Sequence, residues 1–230
     1  MEIYYIIPIN ILVTLALSFI SDRLFSYIII PSAKYFVMHI ILNGYITFAT
    51  YNTTQDFLLN PIAKYNYYSY IGISSCSTII GFHLYHIITE KLNLEDKMHH
   101  ILTVFITGGV GLLNKCGNIL AAINFFMCGL PGGIDYFLLV LIKYNLISKI
   151  TEKYINRWLN LLIRMPGMML CFWYTLLNVY YKNLDIINDI VSIIAVAIMT
   201  INAIYYCNKT VGNYHVRRFQ KINEKKAISG

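Results

Sequence analysis

The sequence predicts an all-α membrane protein, a bundle of about seven transmembrane helices. Two observations carry this prediction. The chain is 57% hydrophobic and only 13% charged, whereas soluble domains average about 25% charged residues. Apolar runs of membrane-spanning length also recur along all 230 residues, which predicts a membrane domain rather than a soluble domain with one anchor.

Hydropathy places the helices in order, with short polar segments between them. The predicted spans lie near residues 3–20, 33–51, 66–88, 98–114, 118–142, 158–180 and 186–207. The first lacks the basic region and cleavage site of a signal peptide, so it is interpreted as a retained helix. Segments 52–65 and 143–157 are predicted loops. The chain divides into a first span with its loop (1–32), a six-helix membrane domain (33–207) and a basic tail (208–230).

Two predicted helices contain a glycine–proline segment. Residues 129–135 read Gly-Leu-Pro-Gly-Gly-Ile-Asp and are predicted to break the fifth helix, because proline lacks an amide donor and clashes with the preceding turn. The sequence Arg-Met-Pro-Gly at 164–167 predicts a kink in the sixth. Irregular backbone inside a bilayer is tolerated where it is buried in protein or lines a watery cavity. We therefore expect Asp135 to lie beside such a cavity.

The distribution of lysine and arginine predicts the orientation. The side that holds the carboxyl terminus carries 14 of these residues and the opposite side carries 3. Because basic loops stay on the cytosolic side, the amino terminus is predicted to be lumenal and the carboxyl terminus cytosolic. The net charge of +7 lies in short loops and the tail, so it does not indicate nucleic-acid binding.

Seven ionisable residues lie inside the otherwise apolar segments: His39, His83, His86, His99, His100, Asp135 and Arg164. The predicted topology places all seven in the cytosolic half of the bilayer. Such groups are costly in hydrocarbon and usually face a functional cavity, so they predict one buried polar site. Taken singly, each histidine is more often structural, and Asp135 with Arg164 is also consistent with a structural ion pair. We expect these two to line one cavity, paired directly or bridged by one polar group.

No metal site or cofactor is predicted. The histidines show neither His-x-x-x-His nor His-Glu-x-x-His spacing, and carboxylates are scarce in the spans. The five cysteines form no Cys-x-x-Cys pair and are interpreted as small apolar side chains: Cys76, Cys116, Cys128, Cys171 and Cys207.

One motif resembles a known family. Residues 96–103 read Asp-Lys-Met-His-His-Ile-Leu-Thr, which is similar to the Asp-x-x-x-His-His-x-x-Thr signature of TLC-domain proteins (the TRAM, Lag1 and CLN8 superfamily). The resemblance covers roughly residues 33–207 through the spacing of the spans, and Arg164 matches an arginine of the sixth family helix. It implies a protein of the endoplasmic reticulum, with a helical barrel around a lipid-sized cavity and a cytosolic carboxyl terminus.

The resemblance also implies a role in lipid metabolism or lipid sensing, with a membrane lipid or acyl-CoA as the partner. The family includes ceramide synthases, lipid-homeostasis proteins, and translocation or cargo factors. The ceramide synthase pattern has a second His-Asp pair downstream of His-His. Here residues 125–135 contain one acid, Asp135, and no histidine.

Two functional hypotheses follow. The first is an acyltransferase or lipid hydrolase in which His99 or His100 acts as general base, Asp135 orients it, and Arg164 binds a phosphate or carboxylate. The second is a non-catalytic lipid-binding, homeostasis, translocation or cargo-adaptor protein. In both, the lipid-binding residues are His39, His83, His86, Thr103 and Arg164. A receptor is disfavoured, because the third span has no Asp-Arg-Tyr and the seventh has no Asn-Pro-x-x-Tyr.

Overall fold

The computed structural model describes residues 2–60, 67–182 and 186–229, which form helices and contain no strand. The first three helices are α1 (Glu2–Phe25), α2 (Pro31–Leu59) and α3 (Tyr70–Thr89). Each of the next three contains a π-helical middle segment. They are α4 (Leu94–His99, His100–Ile106, Thr107–Leu113), α5 (Asn118–Asn124, Phe125–Gly129, Leu130–Lys143) and α6 (Lys149–Leu159, Asn160–Arg164, Met165–Lys182). The last helix, α7, is Ile186–Ser229.

Six helices form a closed ring. In spatial order, α2 packs on α3, α3 on α4, α4 on α7, α7 on α6, α6 on α5, and α5 on α2. Helix α1 lies outside the ring against α3. Gly81 permits this contact, because a Cβ there would come within 2.6 Å of the carbonyl oxygen of Ile11. The ring encloses the ionisable residues, and α1 contributes none of them.

In the described part of the chain, five helices are long and apolar enough to cross a membrane: Tyr5–Phe25, Tyr70–Thr89, Asn118–Lys143, Lys149–Tyr181 and Ile187–Asn223. Large apolar side chains cover their outer faces, among them Leu12 (63% exposed) and Ile201 (66% exposed). Helix α2 has 29 residues but is less apolar, and the apolar part of α4, Lys97–Leu113, is shorter. The all-α bundle is therefore confirmed, while the number of seven spans stays a prediction.

The proline segments widen their helices without breaking them, so the predicted break in the fifth helix is wrong. The amide of Leu130 donates to the carbonyl of Phe125, and that of Met165 donates to the carbonyl of Asn160. Both are hydrogen bonds across five residues, and a proline follows each one directly. Because proline cannot donate and displaces the carbonyl four residues earlier, the turn before it expands into a π-bulge, a feature common at functional sites.

Three helices extend further than hydropathy predicts. Helix α2 continues to Leu59, because Thr54 and Phe57 still face the interior of the ring. Helix α6 begins at Lys149, where the side chain of Ser148 accepts a hydrogen bond from the amide of Thr151. Helix α7 continues through the basic tail to Ser229. Segments 52–59 and 149–157 are therefore helical and not loops; residues 61–66, where the third helix was predicted to start, lie outside the described residues.

Candidate polar site at one end of the ring

A cavity of about 280 Å³, here called the polar chamber, lies inside the ring at the end where α2, α4 and α6 begin. Six of the seven ionisable residues line it: His39, His83, His99, His100, Asp135 and Arg164. The up-and-down order of the helices explains this convergence, since the amino-terminal halves of α2, α4 and α6 and the carboxyl-terminal parts of α3 and α5 lie at one end. His86 does not line the chamber and lies behind His39 and His100, 1% exposed.

The four histidines of α2, α3 and the π segment of α4 form a compact group. The ring centroids are 4.5 Å apart for His39 and His86, 4.7 Å for His83 and His100, and 5.8 Å for His83 and His86. His83 and His86 share a face of α3 because they are three residues apart. Tyr35 stacks on His86 at 4.5 Å with an angle of 2° between the rings, and this contact fixes the plane of that imidazole.

Several nitrogens of this group have no hydrogen-bond partner among the described residues. Nδ1 of His83 and Nδ1 of His86 are both buried in this way. His39 donates from Nδ1 to the carbonyl of Tyr35 at 2.9 Å, which leaves the lone pair of the neutral ring on Nε2, also buried without a partner. Buried polar atoms nearly always have a hydrogen-bond partner. A group of buried histidine nitrogens that lack one is therefore a candidate ligand site.

His99 turns away from this group toward α7. Its Nδ1 lies 3.4 Å from Oδ1 of Asn202 and 3.2 Å from the hydroxyl of Thr103. These two contacts hold the ring of His99 against α7. In this structure the His99 ring contacts Asn202 and Thr103, and the hypothesis that Asp135 orients the base stays a prediction.

A ladder of polar side chains on α6 connects Asp135 to Arg164. Nδ2 of Asn156 donates to Asp135 at 2.6 Å, Nδ2 of Asn160 donates to Oδ1 of Asn156 at 2.7 Å, and Nη1 of Arg164 donates to Oδ1 of Asn160 at 2.8 Å. Asn156 also donates to the buried carboxylate of Glu152 at 3.3 Å. The two charges thus share one chamber as predicted, but two asparagines bridge them and not one group.

The sequence contained a signal for this ladder. Glu152, Asn156, Asn160 and Arg164 are spaced four residues apart, which places them on one face of a helix. The first two were assigned to a loop because hydropathy averages over the window and segment 149–157 is polar. They are buried because α5 and α7 pack against them. The sequence pattern of one helix does not show which other helices pack on it.

A second cavity of about 110 Å³, here called the apolar chamber, lies deeper in the ring. Thr103 lines this chamber and not the polar one. Its other walls are mostly aliphatic side chains of α3, α4, α5 and α7, such as Ile80, Val104 and Val196. The two chambers share four lining residues, namely His83, His99, Met127 and Cys128. A polar compartment and an apolar compartment therefore adjoin inside one ring.

Three histidines are close enough together to hold a metal ion. One ring nitrogen from each of His83, His86 and His100 lies within 4.8 Å of the others. Motif spacing did not reveal this set, because two of the residues come from α3 and the third from α4. The side chain of Asp96, which opens the family-like motif, lies outside the described residues.

Comparisons with family models, characterised proteins and solved structures found no match to this chain. The resemblance to TLC-domain proteins thus stays a prediction carried by residues 96–103 and Arg164.

Proposed function

We propose that the chain is a multi-pass membrane protein that binds an amphipathic lipid inside the ring, with the headgroup in the polar chamber and a hydrocarbon chain in the apolar chamber. The observation that carries this proposal is the junction of the two chambers at His83, His99, Met127 and Cys128. Ligand sites are typically apolar cavities with a few convergent polar groups. An amphiphile is the ligand class whose two ends match two such adjoining compartments.

The guanidinium group of Arg164 favours an anionic headgroup. Arg164 lines it, donates one hydrogen bond to Asn160, and has a buried Nε without a partner among the described residues. Guanidinium groups bind phosphate and carboxylate oxygens through paired donors. The carboxylate of Asp135 is already bonded to Asn156, so it competes little for the guanidinium. We infer a lipid phosphate or carboxylate at this position.

The chemistry proposed for this site is acyl transfer or lipid hydrolysis, with His99 as the general base. Histidine suits proton transfer near neutral pH, and the contacts with Asn202 and Thr103 hold the His99 ring at the junction of the two chambers. His100 stays the alternative base. In this proposal Thr103 contacts the lipid at the deep end of the ring, and His39 contacts it from the α2 wall.

A second candidate is lipid binding without catalysis. It is favoured by the hydrogen bonding of Asp135, which contacts an asparagine and no histidine among the described residues. A catalytic histidine is usually oriented by such a carboxylate. In this case the same chambers would hold the lipid intact in a TLC-type homeostasis, translocation or cargo-adaptor protein.

We further propose seven spans, residence in the endoplasmic reticulum, a lumenal amino terminus and a cytosolic carboxyl terminus. The 14-to-3 bias of basic residues supports the orientation. It puts the polar chamber in the cytosolic leaflet, where a lipid or acyl-CoA can enter. In intact microsomes, a tag after Gly230 is expected to be digested by added protease; its protection would contradict the orientation.

The lipid proposal is tested by mass spectrometry of the purified protein and of the membranes that express it. Wild type is expected to retain an anionic lipid, and His99→Ala, His100→Ala, Asp135→Ala and Arg164→Met are expected to lose it or its reaction product at equal abundance. A changed lipid profile in wild-type membranes supports catalysis, while an intact bound lipid without a changed profile supports the binding function.

His215→Ala is the control, because His215 is exposed on the tail part of α7. Equal lipid retention and equal profiles in all variants would exclude the chamber as the functional centre.

A further inference from the structure

We propose that His83, His86 and His100 form a binding site for one zinc ion, with the fourth coordination position open toward the polar chamber. The inference is independent of the proposed lipid chemistry, since it depends only on these three side chains. Two observations carry it. One nitrogen from each ring lies within 4.8 Å of the others, and the buried Nδ1 atoms of His83 and His86 have no partner among the residues that the structure describes.

The donor set matches zinc chemistry. Three neutral imidazoles with a fourth open position are a common arrangement at catalytic zinc sites, with Zn–N distances of about 2.0–2.1 Å. Hard cations such as magnesium and calcium prefer oxygen ligands, and among the described residues no carboxylate belongs to the cluster. Copper shares the preference for imidazole, so the experiment includes it as a competing outcome.

The metal-free spacing is wider than a bound ion requires. Two nitrogens on one tetrahedral zinc are about 3.3 Å apart, so the rings must move inward by rotations of their side chains. The π-helical turn that begins at His100 aids this movement, because its backbone hydrogen bonds are already displaced from the α-helical pattern. Tyr35 stacks on His86, so the ring of His86 can rotate only slightly.

The competing explanation is a set of neutral histidines that merely fill the interior. That explanation leaves open ring nitrogens buried in the same cluster without a partner, and each such atom carries a desolvation penalty. A bound cation removes this penalty for each ring nitrogen that ligates it. The open position faces the compartment that contains Arg164 and Asp135, so a zinc-bound water or an anionic oxygen can occupy it.

The test measures metal in the protein purified in detergent after growth with added zinc. Wild type is expected to contain about one zinc per chain. His83→Leu, His86→Leu and His100→Leu are expected to bind at least about 100-fold more weakly, since even changes behind the ligands cost 10- to 100-fold. The control His215→Leu is expected to retain zinc. Absence of zinc from wild type, or equal zinc in all four variants, would overturn the proposal, and so would copper as the metal that purifies with the chain.

X-ray absorption of zinc-loaded wild type keeps the proposal testable if a variant fails to fold. Three nitrogen ligands of the imidazole type are expected in the first shell, whereas sulfur ligands would assign the zinc to cysteines and contradict the site. Lipid retention is measured by mass spectrometry on the same samples. Loss of zinc with retained lipid, or the reverse, then separates the failure of one proposal from the failure of the other.

Discussion

Two groups of buried polar side chains meet at the polar chamber, and they differ in how their hydrogen bonds are satisfied. In the ladder from Asp135 through Asn156 and Asn160 to Arg164, each side chain is hydrogen-bonded to the next. In the histidine group, His83 and His86 have buried nitrogens without a partner in the described part of the chain. A satisfied network stabilises and orients the helices that carry it, whereas open polar atoms cost free energy until a ligand binds them.

This difference separates the bonded part of the cavity, from Asp135 to Asn160, from its ligand-binding part, which is the histidine group together with the guanidinium of Arg164, whose buried Nε has no partner among the described residues. The ladder fixes α6 against α5, so its loss should reduce stability whether or not ligand is present. Among the described residues, Nδ1 of His83 and Nδ1 of His86 have no hydrogen-bond partner, so the loss of either side chain should change ligand binding far more than folding. The predictions below compare the two groups directly.

The largest effect on stability is expected for Asn160→Ala. Asn160 is fully buried, donates to the side chain and the carbonyl of Asn156, and accepts from Arg164. Its removal leaves the guanidinium without its hydrogen-bond acceptor and should lower the free energy of unfolding by about 2–4 kcal/mol. The measurement is reversible unfolding in mixed detergent micelles, followed by circular dichroism.

The matched control is Asn124→Ala. Asn124 is also buried and donates to the hydroxyl of Ser75 and the carbonyl of Gly72, but it has no charged partner. Its loss should cost about 1–2 kcal/mol. A cost for Asn160→Ala no greater than for Asn124→Ala would show that the ladder is not the structural element described above.

A smaller effect on stability is expected for His86→Leu in zinc-free protein. The substitution removes an unpartnered Nδ1 together with the ring that stacks on Tyr35. The gain from removing an open polar atom and the loss of the stack oppose each other, so the net change should be below about 1.5 kcal/mol. A loss as large as that for Asn160→Ala would show that the histidines stabilise the fold as much as the ladder does. The two groups would then not differ in their role.

The smallest effect is expected at the exposed end of the ring, where Lys209 of α7 donates a hydrogen bond to Glu95 of α4. This hydrogen bond holds the pKa of Glu95 below its ordinary value. Its contribution is present above the unfolded-state pKa and is lost as the pH falls through the lower folded-state pKa. Because exposed pairs contribute little and are screened by salt, Glu95→Gln should leave the unfolding midpoint unchanged at physiological salt. A clear, salt-independent loss would contradict this ranking.

The sequence by itself determined the helical class and the meeting of the ionisable residues at one end. Both depend on local properties, because apolar runs set the helices and an up-and-down path fixes which helix ends lie together. The histidines at 39, 83, 86, 99 and 100 could therefore be assigned to one cluster before any contact was known. The neighbour that each histidine contacts could not be assigned from the sequence: His99 contacts Asn202, and His86 stacks on Tyr35.

Only the tertiary structure decided which polar residues are buried and which are satisfied. Glu152 and Asn156 lie in a segment too polar to be recognised by hydropathy, yet they are buried because α5 and α7 pack against that face of α6. The three-histidine set is likewise absent from any motif, since α3 and α4 bring its members together. Hydropathy averages the preferences of neighbours along the chain, whereas burial and hydrogen bonding depend on partners that are distant in sequence.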